Sequence, residues 1–252
     1  MRALWLLIRT ELLYYRAYPL DLINQAVSPG LLVAPYLLVG RLFGFDEGLT
    51  DSIAVGLILW YWLSTLMWEV GFGFREEMEE GVFESLLASP VSLLTLLGAK
   101  AVATIILNLY ITGCMVGWFL LFGVPFSLSW PVFLGLLLLT ALGMVGFMLA
   151  QAALVLLLKR ADAPGDIIQT VLGILGGMTM PARFLPQPLW AVSRAIPLAY
   201  GIEAARRVVA GAAVGPEVVV LIGLGAVYGL LGWWALGRAE RRMREAGSTG
   251  EF

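Results

Sequence analysis

Histidine is missing from all 252 residues, and without it the chain cannot assemble a Ser-His-Asp triad, a His-paired cysteine nucleophile or an HExxH zinc site. Cysteine occurs once, as Cys114, so no disulfide can close within the chain. It sits in an apolar run, where a small soft side chain packs like any hydrophobe. Charge is scarce as well. Asp, Glu, Lys and Arg together make up 13% of the residues, against about a quarter in a soluble domain. A net charge of −2 supplies no basic field for phosphates, which sets nucleic acid aside as a partner. No GxxxxGK[ST] loop is present to cradle ATP, and no nucleophile elbow suggests an embedded hydrolase.

What is abundant is carbon. Hydrophobic residues form 60% of the chain, gathered into runs long enough to cross a bilayer, for which about 20 residues suffice. These runs predict an all-α integral membrane protein with about six spans, near residues 22–43, 53–74, 101–122, 131–158, 167–185 and 218–236. Pro29, Gly30 and Pro35 predict kinking in the first. The fourth is long enough to need tilt. The fifth is weak, its glycine-rich apolar part ending before Pro181 and Arg183. Ahead of the spans, Arg2, Arg9 and Arg16 recur every seven residues, as expected of a helix over residues 1–18 lying on the membrane surface. Glu11 falls nearly opposite that stripe. Before the last span, a segment punctuated by Pro181, Pro186, Pro188 and Pro197 and ending in a short helix near residues 199–210 reads as re-entrant or interfacial. The chain shows no soluble domain, and the terminal GSTGEF, residues 247–252, reads as a foreign tail outside the functional argument.

Cytoplasmic loops are enriched in Lys and Arg. With both termini inside, Arg2, Arg9, Arg16, Arg75, Lys100, Lys159, Arg160, Arg238, Arg241, Arg242 and Arg244 are cytoplasmic, leaving Arg41, Arg183, Arg194, Arg206 and Arg207 outside. The protein is expected in the cell membrane, in contact with lipid on most sides.

The loop after the second span, REEMEEGVFESLLASPVSLLTLLGAK over residues 75–100, predicts a cytoplasmic amphipathic helix at 76–90. Met78, Val82 and Leu86 share one face, and Glu77, Glu80 and Glu84 another. Pro90 ends it. Carboxylates at such spacings repel one another by a few tenths of a kcal/mol per pair, so the stripe fits either a solvated face or a basic partner. Within this loop Gly81, Glu84, Leu86, Leu87, Pro90 and Ser92 match the G-T-L-E-x-L-L-x-x-P-x-S pattern of the type-2 ABC transporter permease family, with Val82 and Phe83 departing from it. A PLxYxxExxR-like run at Pro197, Leu198, Tyr200, Glu203 and Arg206 strengthens the resemblance, which spans essentially the whole chain.

That resemblance implies a membrane subunit of an ATP-driven exporter. It has no catalytic site of its own, and ATP and Mg are bound by a separate ATPase subunit. A second copy of the chain completes the translocator. The loop becomes a coupling helix seated on the ATPase through Glu77, Glu80, Gly81, Glu84, Leu87 and Pro90. A small hydrophobic, lipid-like or glycan cargo is expected. The competing reading is a self-sufficient secondary carrier or channel, against which stand the few paired intramembrane charges and the lack of an internal repeat.

Other polar residues carry two readings each. Glu69, inside the second span, fits a buried pair with a basic neighbour or a gate. Glu203 and Arg206 fit local helix pairing or an outer gate. Asn108 and Gln151 suit hydrogen bonds between helices more than cargo binding. Trp60, Tyr61 and Trp62 suit an interfacial belt or a cargo path.

Overall fold

The computed structural model describes residues 2–42, 47–74, 77–78, 81, 83–124, 129–158 and 165–246. Every regular element among them is helical. Helix α1 (Arg2–Ala17) buries Ile8 and leaves Trp5, Leu6, Leu13 and Tyr14 exposed, as a helix lying against lipid should. Helix α2 (Pro19–Leu42) runs through Pro29 and Pro35 without interruption. Trp118 lies against Gly30, where a Cβ would overlap its indole, and donates Nε1–H to the Ala26 carbonyl (2.8 Å). Helix α3 (Glu47–Leu66) widens into a π-helical turn over Met67–Gly71. After a connecting segment containing α4 (Phe83–Ala88) come α5 (Leu93–Leu121) and α6 (Trp130–Leu158). Helix α7 (Gly165–Gly176), a 3-10 turn at Ala182–Phe184, α8 (Gln187–Ser193) and α9 (Pro197–Val209) precede the long α10 (Glu217–Ala246).

Among the described residues five helices are long and apolar enough to cross a membrane, covering Pro19–Val39, Gly48–Gly71, Leu93–Leu121, Trp130–Leu157 and Glu217–Arg244. The fifth expected span, residues 167–185, takes a different form. Its helix α7 has 12 residues, about 18 Å at 1.5 Å per residue, which falls short of a 30 Å hydrocarbon core. Its end is encoded locally. Gly177 takes φ +84°, its N–H reaches Ile174 O (3.0 Å), and Met178 N–H reaches Gly173 O (2.9 Å). This is the Schellman pattern, which needs a residue tolerant of the left-handed region.

Helices α3 and α6 form the centre, with about 60% of the α3 span window and 56% of the α6 window buried, against 22% for α2 and 11% for α10. Packing in lipid lacks a hydrophobic drive between helices and rests on close approach. The α6–α10 seam illustrates it. A Cβ on Gly146 would overlap the Gly229 backbone nitrogen, and one on Gly225 would come within 3.0 Å of Gly143 Cα.

Polar ties join α3 to three neighbours. Tyr61 Oη donates to Gln25 Oε1 of α2 (3.1 Å), and Trp62 Nε1 to Thr112 Oγ1 of α5 (2.8 Å). Asn108 Nδ2 of α5 donates to Thr65 Oγ1 (2.8 Å). On α7, Gln169 donates Nε2–H to Ser64 Oγ (2.6 Å) and accepts from Trp68 Nε1 at its Oε1 (2.9 Å), while Trp60 Nε1 reaches its carbonyl (3.4 Å). The three consecutive aromatics therefore spend their polar atoms on three different helices and act as cross-braces. Asn108 bridges helices as expected. Gln151 Nε2 is buried without a hydrogen-bond partner among the described residues, its amide facing Gly71 of the π-turn.

Candidate coupling and gating sites

At one end of the bundle, the segment from residue 72 to residue 92 joins α3 to α5. The expected continuous helix over 76–90 is broken. Gly81 adopts φ +71° with its N–H on Met78 O (3.2 Å), a conformation a helix cannot continue through. The helix resumes as α4, anchored by Phe83 and Leu87, which are 1% and 6% exposed. Phe83 meets Phe74 edge-on with ring centroids 5.5 Å apart. Leu87 is thus a buried anchor of α4, while Gly81 and Pro90 are exposed. Glu80 lies outside the described residues, as does the side chain of Glu84.

Glu77 does not join a solvent-facing stripe. Its Oε1 pairs with Lys100 Nζ of α5 at 2.7 Å, the two side chains being 18% and 13% exposed. Lys100 also donates to the Gly73 carbonyl (2.8 Å). One ammonium therefore ties three points: the end of the π-turn, the loop and the first turns of α5. Glu11 of α1 lies within the field of both charges. Burial raises its carboxyl above the ordinary value, Lys100 pulls it down, and Glu77 raises it further. Glu69 occupies the π-turn, half-buried. Tyr15 of α1 senses it: burial, and then the Glu69 charge, push the phenol upward. Glu77, read as part of the loop stripe, and Glu11, read as lying opposite the arginine stripe of the first helix, thus share the field of Lys100, while Glu69, read as an intramembrane charge, acts with Glu11 on Tyr15.

The opposite end is organised by Arg206. Pro197 opens α9 in its first turn, where its missing N–H costs nothing. Leu198, Ile202, Ala205 and Val208 bury one face. Arg206 Nη2 donates to Gly177 O (2.6 Å), and its Nε to Ser52 O of α3 (3.3 Å). The guanidinium thereby pins the turn after α7 to the start of α3. Burial pulls it down to about 10, with Glu203 opposing and Arg183 assisting that shift. It stays charged at neutral pH. Arg207 pairs with Glu217 at the head of α10 (2.8 Å).

Beside this knot lies an open cavity of about 400 Å3 lined by Arg183, Trp190, Arg194, Tyr200, Glu203 and Glu217 among others. A neighbouring one of about 300 Å3 shares Arg183, Glu203 and Arg206. The structure brings Glu203 and Arg206 to a common vestibule, but Arg206 faces backbone carbonyls. The vestibule's aromatic and cationic wall was missed in the sequence, although Arg183, Trp190 and Arg194 fall in the Pro-punctuated segment that signals it. Lys100 was read only for orientation and spacing. Among the described residues no cluster of three or more Cys, Asp or Glu could hold a metal ion.

The sequence matches the family model described as ABC-2 type transporter over residues 2–210. No curated protein matches it.

Proposed function

Because the chain belongs to the ABC-2 type transporter family, matched from residue 2 to residue 210, and is thus a membrane-embedded permease subunit that works with an ABC ATPase, we propose that it is the export path of an ATP-driven translocator. Two copies flank the path. The ATPase docks on residues 76–90 through Glu80, Gly81, Glu84 and Pro90, while Glu77 and Leu87 hold the segment to the bundle. Both termini are cytoplasmic, on the positive-inside argument, in the cell membrane.

The observation that carries this reading is the fastening of that segment. Lys100 holds Glu77 and Gly73, and Phe83 and Leu87 are sunk in the core, so a push on the loop is delivered to α3 and α5 together. The open vestibule at the other end, with Trp190, Tyr200, Arg183 and Arg194 in its wall, suits an amphipathic cargo: a hydrophobe, a lipid or a glycan-bearing molecule.

The test is Glu84→Arg in the complex reconstituted into vesicles. ATP turnover is expected to persist while cargo movement per ATP falls at least tenfold, with insertion unchanged. Unaltered coupling, or cargo movement by the permease alone on an ion gradient, overturns the reading.

A further inference from the structure

A third cavity, about 650 Å3 in volume, opens at the coupling end between the last turns of α10 and the start of α5. Its floor is Ser92 and Leu94, and its wall is a single face of α10 carrying Trp233, Trp234, Arg238, Arg241 and Arg244. The lining residues at 234, 238, 241 and 244 recur every three or four positions, so the groove runs along the helix. The two tryptophans are 59% and 56% exposed, on a helix that is otherwise the least buried span in the bundle.

Depth along α10 follows from its length. Its ordered head is the Arg207–Glu217 pair. About 20 residues at 1.5 Å each cross the hydrocarbon core, which brings Trp233 and Trp234 to the far interface and Arg238 to Arg244 into the headgroup layer. Tryptophan favours that depth, and arginine suits bidentate recognition of phosphate.

The charges in the groove are arranged unequally. Glu240 Oε1 accepts both Nε (3.2 Å) and Nη2 (2.8 Å) of Arg244, so the one carboxylate is neutralised within its own helix. Arg238 stacks on Trp234, with its guanidinium carbon 5.4 Å from the ring centroid. This holds the side chain along the groove by cation–π contact. Arg241 lies one turn further on the same wall. The groove is therefore cationic, aromatic at its lipid-facing end, and placed at headgroup depth.

We propose that this groove binds the headgroup phosphate of an anionic phospholipid, with Arg238 and Arg241 as its donors and Trp233 and Trp234 against the glycerol backbone. Ser92 caps α5 by accepting from Thr95 N–H (3.2 Å), so a lipid there touches both the last helix and the point where the coupling segment enters α5. The inference rests on the membrane embedding of the chain, and its test involves neither the ATPase nor the cargo.

The full chain is purified in an uncharged detergent and titrated with phosphatidylglycerol or phosphatidylcholine, with bound lipid read by native mass spectrometry. Phosphatidylglycerol is expected to bind at least tenfold more tightly than phosphatidylcholine. Each basic residue near an anionic headgroup contributes about fivefold, so R238Q/R241Q is expected to weaken it by about thirtyfold. R238K/R241K is expected to retain part of the preference. R242Q, on the same helix but outside the groove, is expected to bind like the unaltered protein, which also controls for folding. Three outcomes overturn the proposal. The first is full lipid preference in the double variant; the second is an equal loss in R242Q, which reduces the effect to diffuse charge; the third is displacement of the lipid by millimolar inorganic phosphate alone, which makes the site one for a free anion.

Discussion

Arg206 shows how one half-buried cation can define the shape of a membrane protein. Its two hydrogen bonds end on main-chain oxygens, Gly177 O and Ser52 O, so one guanidinium joins two separate stretches of backbone. Arg206→Ala is expected to lower unfolding stability by about 3 kcal/mol, because charge-assisted bonds are lost and two carbonyls are stranded. Thermal unfolding in detergent measures it. Arg206→Lys should recover part of the loss, since one ammonium reaches one acceptor better than two. Glu11 makes a prediction of opposite sign. Burial raises its carboxyl above the reference of 4.5, so between that value and the raised one the folded chain holds more protons than the unfolded chain. Stability therefore falls with rising pH across that window. Glu11→Gln is expected to flatten the slope above pH 4.5, and an unchanged profile would reject the assignment. Neither residue's role could be read from its neighbours in sequence: Arg206 meets Ser52 from 154 positions away, and local pairing with Glu203 was the nearer reading.

At the scale of elements, legibility followed how local the cause was. The five spanning helices were plain in the sequence because a long uncharged run has only one economical conformation in lipid. The stop after α7 is also local, a glycine at Gly177, yet a hydropathy run reads straight through it and overstates the span. Gly81 carried the same kind of signal and was passed over, because the Glu spacing on either side of it suited a helix. The Glu77–Lys100 tie, 23 residues apart, and the Gln169 contacts on α3 had no local signature at all. The α6–α10 seam lies between these cases: its glycines are visible, but only the structure shows which meet. Gly146→Leu is expected to separate α6 from α10, since even a Cβ overlaps the Gly229 backbone. Overpacking of this kind costs about 1–3 kcal/mol where side chains can shift, and backbone has less room to give. A large drop in detergent melting temperature is the expected readout, and Gly223→Leu, where a Cβ meets nothing within 4 Å, is the matched control.

Across the whole molecule, α3 connects the two ends where the polar residues gather. Its span window, Gly48–Gly71, has 24 residues, about 36 Å of helix, with the Ser52 carbonyl held by Arg206 near one end and, at the other, the π-turn beyond which Lys100 holds Gly73. Coupling over such distances is carried by rigid elements tied to neighbours that can change position. Of the ties along α3, those to α5 through Thr112 and Asn108 join two long spanning helices. The tie to α7 joins it to a short helix that ends at the vestibule turn, and its two shorter bonds run through one side chain: Gln169 serves Ser64 and Trp68 together, while Trp60 reaches its backbone carbonyl. If a push on the loop reaches the vestibule along α3, this amide is where it crosses. Gln169→Leu, close in volume but unable to bond, is expected to leave ATPase docking and ATP turnover intact while lowering cargo moved per ATP several-fold in reconstituted vesicles. Gln169→Glu keeps an acceptor for Trp68 but removes the donor to Ser64, and it should fall between the two. A coupling ratio unchanged by Gln169→Leu would show that α7 moves with α9 and Arg206 alone, and that α3 acts only as a fixed post.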